Sequence, residues 1–168
     1  MAYAKTLLFT LLVPGTLVVL VPHAIRAAAG DAPAGSWLRA LALAPAIAGL
    51  VSYVWCALAF ARAAGTPAPI DPPKQLVVRG LYRFSRNPMY VGVLALVGAQ
   101  ALYFGSAWLA LYAALLFCAF HGFVVLYEEP TLTRSFGAAY RHQLETVPRW
   151  LPCPRPRPRG GGGAAADR

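Results

Sequence analysis

Charged side chains are missing from three stretches of the chain, residues 6–25, 40–61 and 87–127. A helix rises about 1.5 Å per residue and the hydrocarbon core of a bilayer is about 30 Å thick, so about twenty residues cross once. The first two stretches each suit one crossing, and the third suits two. The natural break in the third is Gly105-Ser106, which predicts a tight hairpin of helices over 88–104 and 107–127. The first helix of that pair is short, and sits low or is partly interfacial.

Between the second and third stretches the pattern changes. Gly65, Pro67, Pro69, Pro72 and Pro73 exclude a regular helix, and residues 75–78 followed by Arg79-Gly80 read as a short extended segment and a turn. After residue 127, Leu132, Phe136, Tyr140 and Leu144 recur at a spacing of four, leaving Arg134, Arg141 and Glu145 elsewhere. That spacing predicts a C-terminal amphipathic helix lying along the membrane surface. Beyond it, residues 153–168 alternate Pro with Arg and end in Gly and Ala, a composition that builds no core and predicts disorder. The predicted fold class is all-α: a polytopic membrane protein with about four transmembrane helices and an amphipathic helix. Its parts are an N-terminal two-span hairpin over 1–62, a core over 63–152 and a tail over 153–168.

Composition supports the membrane reading. Only 12% of residues are charged, 58% are hydrophobic and the mean hydropathy is +0.54, whereas an ordinary soluble domain carries about a quarter charged residues. The net charge of +9 would suit nucleic acid if it covered a soluble face. Here the arginines flank apolar spans, so lipid headgroups are the expected partner and nucleic acid is not. Arg62, Lys74, Arg79, Arg83 and Arg86 fall between the second and third spans; Arg134, Arg141, Arg149 and four further arginines follow the last. The opposite side holds Arg26 and Arg39, so the bias of basic residues predicts an N-in, C-in topology. Lys5, the first apolar run and Ala27-Ala28-Ala29 together look like a secretory signal with a cleavage site. The run is long for one, and Pro22 to Arg26 interrupts the approach, so an uncleaved span is the reading adopted.

Cys56 and Cys118 fall inside apolar spans and Cys153 in the tail, which predicts packing and no disulfide framework. His23, His121 and His142 are scattered and show no metal-ligand spacing. In the first 62 residues Trp37, Tyr53 and Trp55 read as interface anchors and packing.

Chemistry concentrates in two places. Glu128 and Glu129 end an apolar span, where a carboxylate is costly unless paired, and Arg83 and Arg86 are the expected partners. The alternative is that the two acids merely end the span at the water interface. In Arg86-Asn87-Pro88-Met89-Tyr90-Val91-Gly92, Pro88 suits the first position of a helix whose leading N–H groups and Asn87 would face an anion. Gly92 lets a helix or a ligand approach the backbone. The alternative here is a capped helix whose arginines meet lipid phosphates. The predicted hairpin returns Glu128-Glu129 to Arg86-Asn87-Pro88, with Tyr82, Tyr90, Tyr127 and Tyr140 near enough to add aromatic faces.

These motifs, with Phe136-Gly137-Ala138-Ala139-Tyr140 and Val147-Pro148-Arg149-Trp150 in the same order, resemble the isoprenylcysteine carboxyl methyltransferase and phospholipid methyltransferase superfamily of integral membrane enzymes. The resemblance covers roughly residues 74–152. It implies methyl transfer from S-adenosylmethionine to a lipophilic or small acceptor at the cytoplasmic face. It also implies a cofactor pocket built from Arg83, Arg86, Asn87, Pro88, Tyr90, Gly92, Glu128, Glu129, Tyr140 and Arg149, with Glu128, Glu129 and Arg86 nearest the chemistry. Many members carry His at the position of Asn87, so a contact made there by imidazole passes to an amide or is lost. An isoprenylcysteine-like carboxylate, a phospholipid amine and a thiol all stay open as acceptors. So does a non-catalytic scaffold that keeps the fold. A transporter using the acids as a proton relay is disfavoured because they lie at the end of a span.

Overall fold

The computed structural model describes residues 12–62 and 79–151. The expected connector over 63–78, the start of the first span, Cys153 and the tail lie outside the described residues. Among the described residues four apolar helices make up the body: α1, Leu12–Ala29; α2, Ser36–Arg62; α3, Pro88–Phe104; and α4, Ala107–Phe123. A wide π-helical turn, Val124–Glu128, carries α4 without interruption into α5, Glu129–Phe136, and α6 follows over Ala138–Thr146. No strand occurs among the described residues. By length and composition α1, α2 and the continuous helix Ala107–Phe136 can each cross a membrane, and α3 is a shorter apolar helix. The chain is therefore a helical membrane protein.

The hairpin forms where the sequence puts it. Gly105 adopts the left-handed conformation (φ +59°) that closes α3, and the Ser106 side chain accepts from the Leu109 N–H at 3.2 Å to cap α4. The stripe Leu132, Phe136, Tyr140 and Leu144 does turn inward, with Arg134, Arg141 and Glu145 exposed. It is divided between two helices, because Gly137 (φ +52°) breaks the chain after Phe136. Cys56 is fully buried as expected, whereas Cys118 lies on an exposed face of α4.

α2 and α3 run antiparallel in close contact. The reason is a pair of glycines: a Cβ on Gly49 would stand 2.7 Å from the Gly92 carbonyl oxygen, and one on Gly92 would stand 2.9 Å from the Gly49 carbonyl oxygen. Small residues let two backbones approach this closely in an apolar solvent, where packing and not hydrophobicity holds helices together. Of the two options that the sequence leaves for Gly92, the structure takes helix approach.

α1 joins through its backbone. Pro22 has no N–H, so the carbonyls that it would serve need other donors, and none is available in hydrocarbon. The stretch Thr16–Leu20 widens into a π-helix, Gln100 donates to the Val18 carbonyl at 2.8 Å, and Tyr112 donates to the Leu17 carbonyl at 3.0 Å. The second wide turn, Val124–Glu128, stands in the same relation to Pro130.

Replacing Gly49 by Val should force α2 from α3 and destabilise the protein by about 1–3 kcal/mol. Gly98→Ala, whose added Cβ meets nothing within 4 Å, should be neutral or slightly stabilising. Thermal unfolding in detergent separates the two, and equal midpoints would contradict the packing described.

Candidate active site

The site begins at a turn that only glycine can make. Gly80 opens a 3-10 turn, Gly80–Arg83, at φ +59°, and a Cβ there would sit 1.9 Å from the Trp55 ring. Tyr82 then packs between Trp55 and Phe60, with ring centroids 6.3 and 6.0 Å away. This fixes the approach to α3, whose first residue is Pro88, as the sequence predicts.

Residues 85–87 do not wait open at the helix start. The Arg86 N–H donates to the Pro148 carbonyl at 2.9 Å, Asn87 Nδ2 donates to the Arg149 carbonyl at 3.0 Å, and Ser85 Oγ donates to the same oxygen at 3.3 Å. The Asn87 N–H in turn donates to Ser85 Oγ at 3.2 Å. The Asn87 side chain does not face outward at the helix start as expected: the residue is 6% exposed and its Nδ2 donates to the distal segment, while the residue still lines the cavity described below. That segment is pinned from its other side by Trp150, which donates Nε1–H to His121 Nδ1 at 3.2 Å and packs on Phe117.

Glu129 closes the junction. Its Oε1 accepts from Arg86 Nη1 at 2.8 Å and Arg149 Nε at 2.7 Å, and its Oε2 accepts from Arg149 Nη2 at 3.0 Å. The side chains of Arg86 and Glu129 are 8% and 13% exposed, so the arginines offset a carboxylate largely withdrawn from water. Arg149, not the exposed Arg83, is the second partner of the acid. The hydrogen bond to Glu129 raises the affinity of Arg149 for its proton and keeps the clamp charged. Tyr140 lies buried alongside; burial, then the Glu129 carboxylate, push its hydroxyl up to about 12 against the pull of Arg86, so it stays neutral near pH 7.

Glu128 does something different. Successive helical residues point about 100° apart, and it turns away from the arginines. Its Oε2 accepts from the Tyr90 hydroxyl at 3.0 Å, and its Oε1 has no bonded partner among the described residues. Tyr90 is held by the Phe120 ring at 4.7 Å. Both residues line a cavity of about 450 Å³, a size that suits a small-molecule ligand. Tyr82, Arg86 and Asn87 share its polar end. The remaining wall is apolar and comes from all four helices: Val13, Pro14 and Leu17 of α1, Tyr53 and Phe60 of α2, Met89 and Val93 of α3, and Ala119, Phe120 and Phe123 of α4.

Of the residues singled out in the sequence, Arg86, Asn87, Tyr90 and Glu128 meet at this cavity. Glu129, Arg149 and Tyr140 form the charged junction beside it. Pro88 is buried at the helix start, Gly92 faces α2, Arg83 is exposed, and Tyr127 is exposed against Phe123. Tyr53, assigned to packing, lines the cavity, and Ser85 was not singled out at all. A serine just before a proline-started helix is a local hint, but its acceptor is 64 residues away.

The two acids should separate in stability. Glu129→Gln leaves two arginines without their counter-charge and should cost about 3–5 kcal/mol. Glu128→Gln keeps a carbonyl oxygen for Tyr90 and should cost under about 1.5 kcal/mol. Unfolding of the two variants in the same detergent measures this, and equal losses would contradict the division.

The family model described as phospholipid methyltransferase matches residues 37–139. Comparison with the curated proteins and with the solved structures gives no match. The matched region holds α2 from its second residue and α3, α4 and α5 entire, with the Arg86-Asn87-Pro88 helix start and both acids. The chain belongs to the phospholipid methyltransferase family and is a membrane methyltransferase.

Proposed function

We propose that the protein transfers a methyl group from S-adenosylmethionine to the amine of a lipophilic acceptor, with Glu128 taking the amine proton. The observation that carries this reading is Glu128 Oε1, without a bonded partner among the described residues, on a side chain that lines a cavity polar at one end and apolar over the rest of its wall. A carboxylate there attracts an ammonium and repels a carboxylate, which favours an amine over an isoprenylcysteine-like acceptor. The apolar wall suits an alkyl chain.

The residues present fit the cofactor. Arg86 gives one N–H group to Glu129 and keeps a buried Nε–H without a partner among the described residues, a donor for an anionic or carbonyl oxygen of a ligand. Tyr82, Tyr90 and Phe120 supply aromatic faces for a base or a sulfonium. Arg86, Asn87, Tyr90 and Glu128 would hold it from the cavity side, with Glu129, Arg149 and Tyr140 fixing Arg86. When bound, S-adenosylmethionine would supply an electrophilic methyl carbon, the S–C bond giving way to an N–C bond on the amine and leaving a thioether and one proton to be taken up. Glu128 accepts that proton at Oε1, and Tyr90 holds the carboxylate through Oε2. The apolar wall excludes water from the reacting groups.

The site end of the bundle carries Arg79, Arg83, Arg134 and Arg141, and the opposite end carries Arg26 in the last turn of α1 and Arg39 in the first turn of α2, which supports a cytoplasmic site and an N-in, C-in arrangement of four spans. Residues 1–62 then serve as an N-terminal hairpin against a catalytic core over 63–152.

In mixed micelles of phosphatidylethanolamine with radiolabelled S-adenosylmethionine, Glu128→Gln should lower turnover about 10²–10⁴-fold. Its affinity for S-adenosylhomocysteine should stay within a few-fold of wild type. Turnover undiminished in the variant would sink the assignment of Glu128 as proton acceptor.

A further inference from the structure

The helix ahead of the family region supplies part of the cavity wall. Val13, Pro14 and Leu17 of α1 line it, yet the match begins at residue 37. Val13 lines the cavity and is also 43% exposed, so the cavity reaches the outer surface of the bundle beside α1. That surface is apolar: Leu12 is 60% exposed and Leu20 is 64% exposed on the same helix. A cavity mouth framed by such side chains, on a helix of membrane-crossing length, faces hydrocarbon and not water.

The other helices are fixed in position against one another. α2 and α3 are locked by Gly49 against Gly92, and α3 and α4 by the Gly105-Ser106 turn. α1 is tied to the bundle at Leu17 and Val18, and both bonds go to backbone carbonyls. Side chains on α1 can therefore change without disturbing either bond, the acids or the helix start.

We infer that α1 is the acceptor-selecting wall of this enzyme: an alkyl chain enters from the bilayer beside Val13 and runs along Leu17, and these two side chains set the length it can take. The inference rests on the proposed amine acceptor at Glu128. Each methylene that leaves water for such a cavity contributes about four-fold in affinity. Once the chain outgrows the space the gain stops, so the chain length at which affinity levels off measures the wall.

The test uses the full chain in detergent, titrated with n-alkylamines from hexyl to hexadecyl, with S-adenosylhomocysteine titrated separately. Wild type should gain about four-fold per methylene and then level off. Val13→Trp, at a position exposed enough to accept the ring, should level off at a shorter chain, and Leu17→Ala at a longer one. S-adenosylhomocysteine should bind all three proteins alike, which also shows that the variants fold. The same levelling point in all three proteins overturns the inference. Absence of S-adenosylhomocysteine binding by wild type strikes instead at the cofactor reading, and the wall is still judged on the alkylamine series alone.

Discussion

The structure depends on one carboxylate. Glu129 stands where an apolar span ends, largely out of water, and is stable there because Arg86 and Arg149 reach it from two different parts of the chain. Arg86 precedes α3 and Arg149 follows α6, so their shared acid joins the start of the hairpin to the far end of the core. The backbone repeats the connection: Arg86 N–H meets the Pro148 carbonyl, and Ser85 and Asn87 meet the Arg149 carbonyl. Removing one charge from a buried cluster leaves the others unpaired, which is why such a junction behaves as a unit. With Glu129 fully engaged, its neighbour Glu128 is left to face the cavity.

A second constraint is the solvent. Hydrocarbon offers no hydrogen bonds, so each proline inside a helix creates a carbonyl that the protein must serve itself. At Pro22 this is done by a π-helical stretch and by Gln100 and Tyr112, and that solution is also what anchors α1 as a wall. At Pro130 a second wide turn lets the helix run on past the acids, so that Glu128 and Glu129 are presented from a continuous helix and not from a loop. The packing of α2 on α3 follows the same logic, since two glycines replace a hydrophobic driving force that the membrane does not provide.

Much of this was legible in the sequence. Absence of charge marked the apolar helices, Gly105-Ser106 marked the hairpin turn, and Pro88 marked a helix start, because each is a local physical signal. The motif resemblance identified the family and brought Arg86, Asn87, Tyr90 and both acids forward. What stayed hidden was long-range. Arg149 as the partner of Glu129, in place of Arg83, depends on how residues 148–150 lie against α3 and α4. The engagement of Asn87 depends on a carbonyl 62 residues away. The amphipathic stripe is legible in the spacing of Leu132, Phe136, Tyr140 and Leu144, but its division at Gly137 is not, since a four-residue spacing runs through a break without showing it. Tyr53 looked like packing because an aromatic residue in a span usually is.

The proposed binding of S-adenosylmethionine at the Arg86 end of this cavity has its most specific support in the Arg86 Nε–H, which has no partner among the described residues. The direct measurement is calorimetric titration of the purified protein with S-adenosylhomocysteine, for wild type and for Arg86→Lys, which keeps the charge and loses the fork. Saturable binding by wild type, weakened about ten-fold or more in the variant, is the result expected when a hydrogen bond to a charged group is lost. No saturable binding by folded wild type, or equal affinity in the variant, would contradict it.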